Sequence, residues 1–349
     1  MRILVEVLHP AHVHVFRCAI GEWRARGDEV RVLSREKECA NALLDAYGIP
    51  YTSISRLPDR KSGLAAELPL RIWRMWRECR RFRPDVLTGI MGVTIAPVGR
   101  LIGKPAVVFY DTENAKATNR VVYPIAHSVC TPTCYQAPVN GRHVTYPGYH
   151  ELAYLHPNRF TPDPAVPRRH GVDPDKPFFL LRLVSWQASH DVGEAGLDAD
   201  AVKALLARLE PLGRVLISSE KPLPPHLEPY RFSCPPEVIH HFLAFAHLVI
   251  GESATMASEA AVLGTPAFYI SDTGRGYTDE EEARYGLVFN FKRRERDRIF
   301  ATLDGLLARP ALRASFAENH RRLLAEKIDV TAWMVDYLDS VVRDTRRTP

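Results

Sequence analysis

Short apolar, β-rich runs alternate with longer segments of helical period along most of the chain. Ile3–Val7, Glu29–Leu33, Tyr51–Ile54, Asp85–Ile90 and Ala106–Tyr110 predict strands, with helices expected near 12–26, 37–47, 64–82 and 93–102. Gly27, Gly48 and Gly103 fall at three of the helix ends, where glycine relieves left-handed strain. Strands separated by helices of this length predict a parallel sheet with right-handed crossovers. A proline-rich stretch from Pro157 to Pro177 breaks the pattern and reads as an interdomain linker. The pattern then resumes: strands at Phe178–Val184 and Arg214–Ser218, helices near 198–210 and 236–246, a strand from His247 to Ile250, and another from Ala267 to Ile270. The expected architecture is α/β, with two doubly wound Rossmann-like domains, 1–165 and 175–328, facing a central cleft. A last helix, 330–344, is expected to return to the first domain.

The segment between the last two strands carries the clearest chemistry. It runs Gly251-Glu252-Ser253-Ala254-Thr255-Met256-Ala257-Ser258-Glu259 and on to Gly264-Thr265-Pro266. Ser253 is placed to cap a helix, Gly264 to end it and Pro266 to stop it continuing. With Ser253, Ala254 and Thr255 all small, the N–H groups and positive dipole of the first turn suit a phosphate. Glu259 falls one turn beyond Thr255, about 6 Å along the axis, within reach of a ribose. The plain alternative is an ordinary capped helix with Glu259 in solvent.

Other groups crowd the expected carboxyl ends of strands. His9-Pro10-Ala11-His12-Val13-His14 follows the first strand without the glycine fingerprint of dinucleotide sites. His12 or His14 is a candidate general base, against capping and packing roles. Asp111-Thr112-Glu113 closes the strand at Ala106–Tyr110; its two carboxylates suit an acid–base pair, a metal or a helix cap. Arg182 through Ser185, Trp186, His190 and Asp191 combines a phosphate fork, a stacking ring and an acid–base pair in one loop. Ser219 and Glu220 form a weaker donor-side candidate, equally explained as a polar turn.

Composition narrows the class. Across 349 residues, 46% are hydrophobic and 25% charged, as in ordinary globular proteins. A net charge of +5 suits an anionic small ligand or membrane surface and does not call for nucleic acid. Six scattered cysteines complete no zinc site, and reduced thiols are expected. No apolar run has transmembrane length, and Arg2 leads straight into a strand rather than a leader, so a cytoplasmic protein is expected. Residues 68–83 predict an amphipathic helix whose Arg74, Arg77 and Arg81 lie largely opposite its apolar stripe. Beside the reading of a core stripe with a solvated face, Trp73 and these arginines suit peripheral contact with an anionic inner membrane face.

Together these motifs resemble the GT-B glycosyltransferase and UDP-N-acetylglucosamine 2-epimerase-like superfamily, and within it the domain-of-unknown-function 354 family. The resemblance spans nearly the whole chain, from His9–His14 through Arg182–Asp191 to the 251–266 helix. It implies that Ser253, Ala254 and Thr255 contact donor phosphates, Glu259 the ribose, and that His12 lies near a catalytic histidine. The implied substrate is a nucleoside-diphosphate sugar, UDP-type, with no cofactor and no metal, and a glycan or lipid-linked acceptor. An epimerase or hydrolase on the same scaffold is the alternative, yet Thr88-Gly89-Ile90-Met91-Gly92-Val93-Thr94 lacks the carboxylate that epimerases carry there. A non-catalytic nucleotide-sugar-binding protein is a third reading.

Overall fold

The computed structural model describes residues 1–58, 64–183, 197–219 and 222–347. The chain divides into two compact units, Met1–Arg159 with Lys327–Pro349, and Phe160–Glu326.

The first unit is built on seven strands: β1 (Arg2–Val7), β2 (Glu29–Glu36), β3 (Tyr51–Arg56), β4 (Val86–Ile90), β5 (Ala106–Phe109), β6 (Ser128–Pro132) and β7 (His143–Tyr146). They run parallel in the order β3-β2-β1-β4-β5-β6-β7, with Val5 opposite Val32 on one side and Thr88 on the other. The strand order reverses between β1 and β4, and the usual ligand position in such sheets is beyond the carboxyl ends of the strands at that point. Helices α1 (Pro10–Ala25), α2 (Ala40–Ala46), α3 (Leu64–Phe82), α4 (Ile95–Ile102), α5 (Lys116–Val122) and α6 (Leu152–Leu155) connect or follow the strands. Because both faces are covered, β1 reads as the continuous apolar run Ile3-Leu4-Val5, fully buried, and not as an alternation. One face packs Leu4, Leu33, Leu87 and Val108 against Met75, Cys79 and Phe82 of α3. The closing helix, Val330–Arg347, packs on α1 and α6, and Thr331 donates a hydrogen bond to the Ala153 carbonyl (2.6 Å).

β6 and β7 were not among the strands expected from sequence. Ser-Val-Cys-Thr-Pro and His-Val-Thr-Tyr are short and half polar, so their local signal is weak.

The second unit has β8 (Phe178–Leu183), β9 (Arg214–Ser219), β10 (Leu248–Gly251), β11 (Ala267–Ile270) and β12 (Val288–Phe291), parallel in the order β12-β11-β10-β8-β9. Its helices are α7 (Ala165–Arg169), α8 (Ala199–Leu209), α9 (Ile239–Phe245), α10 (Ala254–Val262), α11 (Gly276–Glu280), α12 (Arg296–Leu307) and α13 (Ala317–Glu326). The proline-rich stretch is not a free linker, which corrects the sequence reading. The boundary falls at Arg159/Phe160, and the following residues pack into the second unit. Val166, Pro167 and Val172 are buried, and the Asp163 N–H donates to His241 Nδ1 at 2.9 Å.

Candidate functional site

In the first unit, the carboxyl ends of β1 and β5 bring His9, His12, Asp111 and His150 together. β1 ends at Val7, and α1 starts with Pro10 at its first position. His9 is the N-cap: its Nδ1 accepts the Ala11 N–H at 3.2 Å. His12 is buried, and its Nδ1 accepts the Leu8 N–H at 3.3 Å. Burial, reinforced by His9, pulls the His12 pKa down to about 3, although Asp111 opposes the shift. The ring is therefore neutral at pH 7, and with Nδ1 accepting, its proton resides on Nε2.

Asp111 follows β5 with its side chain 20% exposed. His150 Nδ1 lies 3.0 Å from Oδ2, and the Thr112 hydroxyl donates to Oδ1 at 2.9 Å. Burial alone would raise the Asp111 pKa; the charge and hydrogen bond of His150, the Thr112 hydroxyl and His12 outweigh it and hold it at about 2. Asp111 is a fixed carboxylate at neutral pH. His150 was not among the residues singled out from sequence. It follows the Pro147-Gly148 turn after β7, stacked near Tyr146 and edge-on to Phe109, with a buried Nε2 that makes no hydrogen bond. The local signal was a Tyr-Pro-Gly-Tyr-His turn, legible only once β7 is recognised as a strand.

The other first-unit candidates lie elsewhere. Two residues of α-helix rotate a side chain by about 200°, so His14 does not join His12. It meets the Tyr47 hydroxyl at 3.2 Å and stacks on Tyr154 at 5.3 Å, a packing position in place of the expected catalytic one. The charge of Glu113 acts on Tyr123 and Tyr135, whose hydroxyls meet at 2.6 Å, and helps raise both phenols; Asp111 also acts on Tyr135. Neither Asp111 nor Thr112 caps α5, whose N-cap is Ala115. Among the described residues, no group of three or more His, Cys, Asp or Glu is arranged to hold a metal.

In the second unit, register alone sets Arg182 of β8 beside Ser218 and Gly251, and Leu183 beside Ser219. Arg182 donates to the Ser218 hydroxyl at 3.0 Å, and its carbonyl accepts the Glu252 N–H at 3.2 Å. A Cβ on Gly251 would stand 2.6 Å from that carbonyl oxygen, so only glycine allows this approach. Ser253 caps α10, its hydroxyl accepting the Met256 N–H at 3.3 Å, and Ala254 and Thr255 are partly exposed in the first turn. Gly264 ends the helix at φ +81°.

Glu259 is not presented to solvent. It is buried, with Oε1 2.9 Å from His240 Nε2 of α9. Beside it, Ser258 donates to Glu281 at 2.6 Å, so α10 is pinned through two buried polar contacts. Ser185, Trp186, His190, Asp191 and Glu220 lie outside the described residues.

Two parallel, helix-covered sheets of this kind give the fold of the GT-B glycosyltransferases and the sugar-nucleotide epimerases. The structure is similar to the spinosyn forosaminyltransferase SpnP (15% identity, 98% of this chain and 99% of that one, TM-score 0.65). It is also similar to the UDP-GlcNAc 2-epimerase of Neisseria meningitidis (12% identity, 97% and 100%, TM-score 0.66). At such identities the likeness is one of fold. In sequence, residues 1–139 match the family described as "Protein of unknown function (DUF354)". Over 132 residues the chain is 31% identical to the UDP-N-acetylglucosamine–N-acetylmuramyl-(pentapeptide) pyrophosphoryl-undecaprenol N-acetylglucosamine transferase of Halorhodospira halophila. That match spans 34% of this chain and only 36% of the relative's length.

Proposed function

We propose that this protein is a glycosyltransferase using a nucleoside-diphosphate sugar. The second unit would hold the donor and the first unit would supply the groups that meet a glycan or lipid-linked acceptor. One observation carries the reading: the Gly251–Arg182 contact packs the end of β8 against the strand that leads into α10, so that an arginine, its guanidinium on Ser218, and a helix N-terminus both stand at the carboxyl ends of adjacent strands. Amide donors, helix dipole and guanidinium together stabilise a leaving diphosphate without calling on a metal ion. UDP is the favoured nucleotide, since the sequence relative named above uses a UDP-sugar by its name. Glu259 would reach the ribose from its pairing with His240.

Where the acceptor is lipid-linked, the reaction belongs on a cytoplasmic membrane face, and α3 has a surface for it. Leu70 and Trp73 are exposed, with the Arg77 guanidinium 5.1 Å from the Trp73 ring centre. No helix among the described residues is long and apolar enough to cross a membrane.

The test is a thermal-shift screen of UDP-, GDP-, dTDP- and CMP-sugars against wild type, Arg182→Ala and Glu259→Gln. A shift with one nucleotide class that Arg182→Ala abolishes supports the donor site. No shift with any nucleotide sugar counts against it. The likeness to the 2-epimerase favours one second reading, epimerisation or hydrolysis of the sugar nucleotide. Product analysis without an acceptor separates it from transfer.

A further inference from the structure

The hydrogen bonds around Asp111 bear on a choice that the sequence leaves open, between a histidine and the Asp111 carboxylate as base. His12 Nδ1 is occupied by the Leu8 N–H, a group that can only donate. Its neutral ring therefore offers an Nε2–H donor, and turning Nε2 into a proton acceptor would set two N–H groups against each other. His150 faces the other way: Nδ1 donates to Asp111, and its Nε2 is sealed among aromatic rings, out of reach of a substrate. Asp111 differs from both. It is partly exposed, each carboxylate oxygen has one donor among the described residues, and a carboxylate has lone pairs for about four.

We propose that Asp111 is the proton acceptor of the transfer reaction, His12 an Nε2–H donor to a substrate oxygen, and His150 the positioning residue that holds Asp111. This rests on the glycosyltransferase reading. In the step, the acceptor hydroxyl oxygen forms a bond to the anomeric carbon as that carbon's bond to the diphosphate breaks. The electron pair leaves on the nucleotide, and the hydroxyl proton passes to Asp111, which returns it to water after product release. A hydroxyl is a poor match for a carboxylate in the ground state, but it becomes strongly acidic as its oxygen bonds to carbon. Transfer then occurs late in the step. His150 on Oδ2, together with the Thr112 hydroxyl on Oδ1, fixes which lone pairs of Asp111 point outward, because holding both oxygens restricts the carboxylate's rotation.

Two readouts on the full-length protein test this. Long-range 1H–15N spectra of the imidazoles, assigned with His12→Asn and His150→Asn, should show the Nε2–H tautomer at His12 and Nδ1–H at His150. An Nδ1–H tautomer at His12 would return the base role to it and overturn the proposal. Hydrolysis of UDP-N-acetylglucosamine supplies the second readout, with water as acceptor. Asp111→Asn should lower kcat by about 100-fold or more and His12→Asn, which keeps an N–H donor, by less than about 10-fold. His150→Phe should lower kcat by about 10-fold or more with KM unchanged. His150→Asn should restore most of that loss, because its amide still donates to Asp111. Equal losses in the two His150 variants, or an Asp111→Asn loss no larger than that of His12→Asn, would overturn the assignment. A wild type that binds no nucleotide sugar defeats the transfer reading instead, and the tautomer spectra still decide the hydrogen-bond assignment.

Discussion

Helices α1 and α10 each follow a strand at its carboxyl end, α1 the first strand of its unit and α10 the third of its own, and their N-termini are opposites. In α1 the first turn is closed upon itself. Pro10 has no N–H, His9 Nδ1 takes the Ala11 N–H, and the His9 carbonyl takes the His12 N–H at 3.0 Å. In α10 the cap side chain engages Met256 among the described residues, and the turn begins with the small residues Ala254 and Thr255. The first turn of α1 is taken up in placing histidines, whereas under the proposed function that of α10 would receive an anion. Under the proposed function, that difference would give side-chain proton chemistry to the first unit and backbone charge recognition to the second.

That contrast can be broken most forcefully at the support of α10. His240→Ala leaves Glu259 buried without its imidazole and should cost about 3–5 kcal/mol, read as a lower denaturant midpoint. An unchanged midpoint would mean that Glu259 finds other partners and that α10 is not held from α9. Next in size, Arg182→Ala should weaken UDP binding by about 1.5–3 kcal/mol, roughly 10- to 150-fold by calorimetry. Asp111→Asn should leave that affinity unchanged. Equal effects would erase the division between the units.

A third prediction uses pH. Burial raises the Glu6 pKa from 4.5 to about 7, with Arg71, Thr94 and Arg35 opposing the shift. A carboxyl whose folded pKa lies above its unfolded one stabilises fully below the unfolded value and loses that contribution as pH rises through the folded one. Wild type should therefore lose on the order of 2–3 kcal/mol from this group between pH 5 and pH 8. Glu6→Gln should lack that loss, and parallel pH–stability curves for the two would refute it. The smallest effect belongs to the α1 cap: His9→Ala should destabilise by about 1 kcal/mol. Because it frees the Ala11 N–H, it should also make the first unit a little more receptive to inorganic phosphate, by chemical-shift titration.

The fold class was legible because glycine and proline punctuate it. Gly27, Gly48, Gly103 and Gly264 all end helices with positive φ, and Ser253 caps the helix that the sequence assigned to it. What escaped was whatever depends on distant partners. His240 stands 19 residues from Glu259, and nothing local marks it as the group that takes that carboxylate. His150 escaped because β7 did, and three neighbouring histidines read as one cluster because the helix start at Pro10 was not located. Once α1 begins there, its pitch alone separates His12 from His14.

The path of the chain carries a last consequence. It leaves the first unit at Arg159 and re-enters at Lys327, so the sheet is made long before the helix Val330–Arg347 that covers it. Trp333 of that helix sits 4.8 Å from Tyr146 and 6.3 Å from Phe109, the two rings that flank His150. A nascent chain that has emerged only as far as the second unit would expose this aromatic wall to water and leave the imidazole beside Asp111 without its final packing. The histidine–carboxylate pair thus receives its final packing only after the second unit, Phe160–Glu326, has been synthesised.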